Sequence, residues 1–405
     1  MSQTEHQSAS SAGIAKAPTG IEGLDTITRG GLPRGRPTLV AGQAGGGKSV
    51  LGMEFLAHGA RELGEPGVLV SFEESREAIL ANMASFGWGL EELVADGKLE
   101  VVAIDIRPGD LAETGSFDLD GLMVRLTSAC ERIGAKRLVL DTVEVLLGAF
   151  QRTDIIRHEL QRLFDWIRER GLTAVVTAES GGGKGVSRWG IEEYVSDCVI
   201  HLDNRMEHQI ATRRLRVLKY RGSGHGKNEY PFLISERGVS LLPITSVGLD
   251  YTVTRERVAW GLPVVETLLE NKGVYRGTSS LVSGPAGTGK SIFAGHFAAE
   301  GCRDGGRVLY FAFEESQDQI IRNFQSVGLD LAPLVESGQL HFHCMRPTEM
   351  ELEEHLLYFY DRITEVVPDR LVVDPISNFI TQGNPTEVKS LLVRLLDYFK
   401  ARGIT

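Results

Sequence analysis

Two stretches of the sequence have the residue types and spacing needed to hold phosphate. Gly42-Gln43-Ala44-Gly45-Gly46-Gly47-Lys48-Ser49 and Gly284-Pro285-Ala286-Gly287-Thr288-Gly289-Lys290-Ser291 both satisfy GxxxxGK[ST]. Glycines let such a loop wrap so that successive backbone N–H groups face the β- and γ-phosphates, helped by the positive end of the following helix. Lys48 and Lys290 are placed to neutralise phosphate oxygens, and Ser49 and Ser291 to offer hydroxyls to Mg²⁺. Asp141 and Asp374 each end an apolar run and can hold that ion through its water shell. The implied ligand is ATP or a related nucleotide.

Paired carboxylates follow each loop, Glu73-Glu74-Ser75 and Glu314-Glu315-Ser316. A carboxylate there can orient or deprotonate a water or hydroxyl attacking the γ-phosphate. The competing reading is an ordinary helix start, with acids favoured in the first turn and Ser75 capping a helix from about Arg76. Recurrence of the pair in both places favours catalysis.

The segment Arg205 to Arg221 holds six basic residues (205, 213, 214, 216, 219, 221) against one acid, Glu207. As a strand it puts Lys219 and Arg221 on one face. Three readings stay open: a solvated edge strand with protective charges, a nucleic-acid groove, or phosphate-directed residues donated to a neighbouring subunit's ATP. Sparse aromatic interleaving weakens the second. Gly181 to Gly185 (GGGKG) lacks the full phosphate motif and reads as a mobile loop facing a ring pore or channel. In His341-x-His343-Cys344, the last two side chains alternate faces in a strand, so the histidines read as structural rather than zinc ligands.

The elements that must position these groups repeat. The lysines lie 290 − 48 = 242 residues apart, the first glutamates 314 − 73 = 241, Arg370 and Arg137 233, and Arg402 and Arg170 232. That pattern is a duplicated domain rather than a short solenoid repeat. Each phosphate loop follows an apolar run (Thr38 to Ala41; Ser280 to Ser283) expected to be a strand, and precedes a helix-like segment. Short β-branched runs alternate with amphipathic segments such as Ile155 to Arg170, whose Ile156, Leu160, Leu163, Phe164 and Ile167 form one stripe. The rhythm predicts an α/β fold with a parallel-core sheet flanked by helices and nucleotide sites at the carboxyl ends of the strands. The boundaries read as a flexible leader at 1–18, a first domain at 19–243, a linker at 244–260 and a second domain at 261–405.

The 405 residues allow two or three domains, and net charge is 43 − 54 = −11, which opposes polyanion binding overall. Nucleic acid and membrane are therefore not expected partners. Four cysteines without CxxC, no signal-peptide core and no apolar run near ~18 residues suggest a soluble cytoplasmic protein.

The segment Thr19 to Gly35 (TGIEGLDTITRGGLPRG), the first phosphate loop, Phe72-Glu73-Glu74-Ser75, Ser85 to Trp88, Val195 to Asp197 and Lys219-x-Arg221-Gly222-x-x-His225 together resemble the KaiC circadian clock family. The likeness covers almost the whole chain. It implies two tandem RecA-like P-loop NTPase domains in a homohexamer of stacked rings, with Mg-ATP between neighbouring subunits. It further implies a steady ATPase and docking platform for KaiB in the first ring, and a serine/threonine autokinase and autophosphatase tuned by KaiA in the second. By position, Glu73 and Glu74 become the hydrolytic carboxylates, and Glu314 and Glu315 activate a phosphoacceptor hydroxyl. Lys219, Arg221, Ser223 and His225 reach the adjacent subunit's nucleotide, and Ser85 lies near the bound nucleotide.

Departures are local. Thr267 stands where the first copy has Asp25, Lys272 where it has Gly30, and Pro375 where it has Thr142, which suggests an altered second site. Thr405 matches Thr173, so the counterpart of residues 174 to 243 does not follow, and with it the family's phosphoacceptor pair. A longer natural chain is expected, and no phosphoacceptor is named. Two other functions compete: a RecA-like DNA-dependent ATPase, and a nucleotide-gated scaffold with little turnover.

Overall fold

Val68, Val70, Leu138, Leu140, Ala174 and Val176 expose essentially nothing, as strands covered on both faces require. The computed structural model describes residues 13–104, 119–148, 153–180, 196–207, 210–241, 254–270, 272–346, 352–381 and 385–405. It divides the chain into two units, Met1–Pro243 and Ile244–Thr405.

In the first unit, β1 (Lys16–Ala17) pairs with β2 (Leu32–Pro33), and nine strands form one sheet. They are β3 (Pro37–Gly42), β4 (Gly67–Ser71), β5 (Leu99–Ala103), β6 (Arg137–Asp141), β7 (Thr173–Glu179), β8 (Cys198–Glu207), β9 (Ile210–Tyr220), β10 (Glu229–Ser235) and β11 (Gly238–Leu241). The order is β11-β10-β9-β8-β3-β7-β6-β4-β5. Strands β3 to β8 run parallel, as expected, while β9 to β11 add an antiparallel extension. The helices are α1 (Leu24–Ile27), α2 (Lys48–Glu62), α3 (Arg76–Asn82), α4 (Leu90–Ala95), α5 (Asp120–Ile133), α6 (Val143–Gly148) and α7 (Thr153–Glu169). The whole predicted stripe of α7, Ile156 through Ile167, is buried in the cluster with Leu39, Val70 and Leu140.

In the second unit β12 (Arg257–Val258) pairs with β13 (Val274–Tyr275), and β14 (Val308–Ala312), β15 (Leu340–Cys344) and β16 (Arg370–Asp374) form a parallel sheet in the order β15-β14-β16. The duplication extends to small details. Gly31 and Gly273 both have positive φ, and a Cβ at either would lie 2.0 Å from a carbonyl oxygen, of Ala17 and of Val258. Buried Arg137 donates to the carbonyls of Phe55 and Pro18, as Arg370 does to those of Phe297 and Ala259.

Three sequence expectations need correction. Residues 13–18 of the leader are structured: Ala17 is buried and lies in β1. The end of the linker is structured too, with Val258 in β12 and Trp260 packed on Phe297. The third concerns the run before the second phosphate loop, which forms no strand; Leu281 is 79% exposed where its counterpart Leu39 is 0%. The reason is hydrogen bonding. β3 has β7 on one side and β8 on the other, whereas no described strand flanks Thr278 to Ser283. Thr405 makes the same hydrogen bonds as Thr173 does at the start of β7. Its N–H donates to Asp369 O at 3.2 Å, as that of Thr173 does to Lys136 O at 3.0 Å, and its hydroxyl accepts from Gly277 N at 2.9 Å, as that of Thr173 does from Gly35 N at 3.0 Å. Next to it lies an apolar cavity of about 350 Å³ lined by Leu281, Val282, Leu371, Val373, Leu395 and Phe399.

Candidate active site

Parallel strands end at a common edge, so β3, β4 and β6 deliver the turns at their carboxyl ends to one place. β3 leads into the loop Gly42–Lys48, β4 into Glu73 and Glu74, and β6 ends at Asp141, in register with Ser71. The loop bends through left-handed glycines, Gly45 (φ 73°) and Gly47 (φ 93°), and the second loop repeats this with Gly287 (φ 78°) and Gly289 (φ 83°). A Cβ on Gly47 would come within 2.6 Å of Ile234 as well as strain the backbone. Lys48 Nζ donates to Gly42 O at 2.8 Å and Gln43 O at 2.9 Å, and Lys290 Nζ to Gly284 O at 2.9 Å and Pro285 O at 2.8 Å. Each ammonium is thus curled back over its own loop, where the motif's chemistry requires a positive charge. The second loop keeps this shape even without the strand before it.

The paired glutamates part company. Glu73 Oε1 accepts from the Thr142 hydroxyl at 3.3 Å, at the end of β6. Glu74 turns to α3, where Asn82 Nδ2 donates to it at 2.9 Å; Asn323 does the same for Glu315 at 3.1 Å. Ser71 Oγ holds the turn by accepting from the N–H of Glu74 at 3.0 Å. Ser75 caps α3, accepting from Ala78 N, and Ser316 completes a capping box with Gln319. The capping reading thus holds for Ser75 and Ser316, the residues next to the paired acids.

Asp141 accepts from Thr177 Oγ1 on β7, and Asp374 from the Tyr310 hydroxyl at 2.7 Å. The peptide bonds after both aspartates are cis. In the second unit a pocket of about 450 Å³ is lined by Gly287, Gly289, Lys290, Ser291, Glu314, Glu315, Tyr310 and Asp374. Loop amides, a lysine, a serine hydroxyl and a carboxylate are the hard donors that a nucleotide phosphate and Mg²⁺ take, so the residues fit that group. Lys48, Ser49 and Asp141, or Lys290, Ser291 and Asp374, would hold it, with Gly42, Gly45, Gly46 and Gly284 shaping the loops and Thr288 Oγ1 tied to Pro285 O.

Lys219 and Arg221 do not lie level with the first loop of their own chain. Lys219 pairs with Val199 of β8, which pairs with Leu39; Arg221 N donates to Asp197 O, beside Pro37. Arg221 is thus level with Pro37, 42 − 37 = 5 residues before the loop, or about 16 Å down the strand. It lies just past β9; the bulge opposite Val199 and Ile200 falls at Leu218, before Lys219, so Lys219 and Arg221 flank the buried Tyr220. Arg205 is neutralised by Asp203 and by Glu229 on β10. Ser223 Oγ donates to Gly224 O, and His225 stacks near Tyr220 with ring centroids 6.4 Å apart. Ser85 is on an exposed turn, Ala84–Phe86. His343 Nδ1 is 2.8 Å from Tyr358 Oη, a structural contact. The loop 181–185 lies outside the described residues.

Residues given no site role from the sequence are Thr142, Thr177, Asn82, Asn323, Tyr310 and Glu144, whose carboxylate accepts from Glu179 N. Thr142 directly follows the carboxyl end of β6, a signal that could have marked it, whereas the others lie inside strands or on helices. The Asp25 substitution is also compensated. Asp25 accepts from the N–H groups of Thr19 (2.9 Å) and Gly20 (3.2 Å); in the second unit Glu266, one residue earlier and one methylene longer, accepts from Trp260 N and Gly261 N.

Comparison with known proteins agrees with this geometry. A family model described as "ATPase: KaiC" matches residues 17–246 and 258–405. "Circadian clock protein KaiC2" of Synechocystis sp. is 50% identical over 395 residues, 98% of this chain and 69% of that protein. "Circadian clock oscillator protein KaiC" of Parasynechococcus marenigrum is 35% identical over 96% of this chain and 76% of its own length, and that of Thermostichus vulcanus 35% over 99% and 78%. With two parallel-core α/β units, each carrying the phosphate loop, glutamate pair and strand-end aspartate, the chain belongs to the KaiC ATPase family.

Proposed function

We propose that the first unit hydrolyses Mg-ATP and that, in the full-length protein, the second is the seat of a serine/threonine autokinase, used in circadian-type timing or signalling. The observation that carries this is the convergence of Lys48, Glu73 and Asp141 at the ends of β3, β4 and β6, repeated as Lys290, Glu314 and Asp374 around one pocket. In this reading the loop amides and Lys48 hold the phosphates. Glu73 takes the proton of the attacking water, and Thr142 keeps that carboxylate turned toward the β6 end. Bound Mg²⁺ supplies charge neutralisation on the transferred phosphoryl group. Glu314 does for a serine or threonine hydroxyl what Glu73 does for water.

Subunits assemble as a homohexamer in which Lys219, Arg221, Ser223 and His225 act on the neighbour's nucleotide. Their position far down the strand from their own loop supports action in trans. KaiB-like and KaiA-like proteins are the proposed partners and the cytoplasm the proposed location. Among the described residues no helix is long and apolar enough to cross a membrane. The test is phosphate release from Mg-ATP: it should be lost in Lys48→Ala and survive in Lys290→Ala, whereas in the full-length protein incorporation of labelled phosphate should show the reverse. Phosphate release surviving Lys48→Ala would overturn the assignment to the first unit.

A further inference from the structure

The two units hold their strand-end aspartates by different donors on opposite flanks. Asp141 on β6 is held by Thr177 from β7, whereas Asp374 on β16 is held by Tyr310 from β14. The counterpart of Tyr310 is Leu69, which pairs with Val139 as Tyr310 pairs with Val372 and has no hydroxyl. Tyr310 is therefore specific to the second unit.

We propose that Tyr310 is a positioning residue for Asp374, fixing the carboxylate that serves the divalent cation of the second nucleotide site. The inference rests on the proposed nucleotide-binding role of that site. Register makes the contact possible: Ala312 pairs with Asp374, and Tyr310 lies two residues earlier on the same face of β14, within the diagonal reach of a long aromatic side chain. The small Ala312 leaves the path along that face open. Phe342 of β15 packs against the other side of the ring, with centroids 5.1 Å apart, so the phenol is clamped between a ring and a carboxylate. The ring is 1% exposed yet lines the pocket that holds Lys290, Ser291 and Glu314. The phenol hydroxyl is the donor and the Asp374 carboxylate the acceptor. A charge-assisted hydrogen bond of this kind selects one carboxylate orientation and leaves the second oxygen free to face the pocket.

The test uses the full chain carrying Lys48→Ala, so that the second unit dominates, titrated with Mn²⁺ in the presence of ADP and read by paramagnetic resonance. Tyr310→Phe should weaken Mn²⁺ about tenfold while leaving metal-free ADP affinity within about twofold, the size expected for one hydrogen bond to a carboxylate. Adding Tyr310→Phe to Asp374→Asn should change nothing further. Phe342→Leu, which loosens the ring but keeps the hydroxyl, should retain most of the Mn²⁺ affinity. Unchanged Mn²⁺ binding in Tyr310→Phe, an equal loss in the Asp374→Asn background, or an equal loss in Phe342→Leu would each overturn the proposal while leaving the nucleotide site standing. Absence of any Mn²⁺-ADP binding in the Lys48→Ala chain would overturn both.

Discussion

Glu73 and Thr142 are joined by a hydrogen bond of 3.3 Å that ties the exit of β4 to the end of β6, while Glu74 is tied to Asn82 on α3. The two acids are thus unequal, and the contact of the second acid with its helix recurs as Glu315 with Asn323. Glu73→Gln is expected to lower kcat for ATP about 10²- to 10³-fold with nucleotide affinity preserved, and Glu74→Gln by about tenfold. Steady-state phosphate release and nucleotide titration check this; a larger loss in Glu74→Gln would reverse the roles.

Arg221 sits about 16 Å down the strand from its own phosphate loop, so its action on nucleotide requires another subunit. Arg221→Ala is expected to cost on the order of 10³ in ATPase rate with the fold intact. Mixing Lys48→Ala with Arg221→Ala chains then gives a sharper readout. In randomly assembled rings roughly one interface in four pairs an intact loop with an intact arginine, so about a quarter of parental activity should return. No recovery after dissociation and reassembly would place the arginine's role within one chain.

The phosphate loops and strand-end aspartates were legible in the sequence because their chemistry demands particular residues at short fixed spacing, and duplication supplied a second reading of each. Tyr310, Thr177 and Asn82 were not, because they reach the site through sheet register or a helical turn, across sequence separations of 64, 36 and 8 residues. Glu266 was missed for a related reason. An aligned column compares Asp25 with Thr267, whereas the backbone N–H groups accept any carboxylate that reaches them. The run Ser280 to Ser283 shows the opposite failure: apolarity suggested a strand, but a strand also needs neighbours.

The Asp25 carboxylate closes the turn that leads into α1, accepting from Thr19 N, Thr19 Oγ1 and Gly20 N. Asp25→Ala leaves these donors unpaired and should lower the stability of the first unit by about 2 kcal/mol. Glu266→Ala should do the same for the second. Urea midpoints resolved by unit would show each loss; a midpoint change confined to the other unit would contradict the pairing of these carboxylates with their own turns.

His58 lies on α2, the phosphate-loop helix, between Glu54 and Glu62, and its hydrogen bond to Glu54 holds its proton above the ordinary value of 6.5 despite partial burial. Glu54, itself pushed up by burial near Glu22, accepts from Val239 N at 2.7 Å. Both groups are raised, so both contribute stability that is present at low pH and lost as pH rises through their folded values. For His58 that window begins near 6.5 and extends above it. Thermal stability should therefore fall as pH rises above about 6.5, and His58→Gln should flatten the decline. An unchanged slope in the variant would remove His58 from the account.

Hydrogen exchange should separate the two phosphate-loop approaches. Pro37 to Gly42 is laddered to β7 and β8, with Leu39 and Val40 fully buried, so its amides open only with a large part of the sheet. Thr278 to Ser283 has the same kind of sequence and lacks described strand neighbours, leaving Leu281 79% and Val282 38% exposed. Its amides should exchange orders of magnitude faster than those of β3, at near-unprotected rates, while β14 and β16 remain protected. Because Lys290 grips Gly284 O and Pro285 O, the contrast should stop at the loop itself. Equal protection of the two approaches would mean that another strand occupies the flank of Thr278 to Ser283 in solution, and it would then also fill the 350 Å³ apolar cavity beside β16.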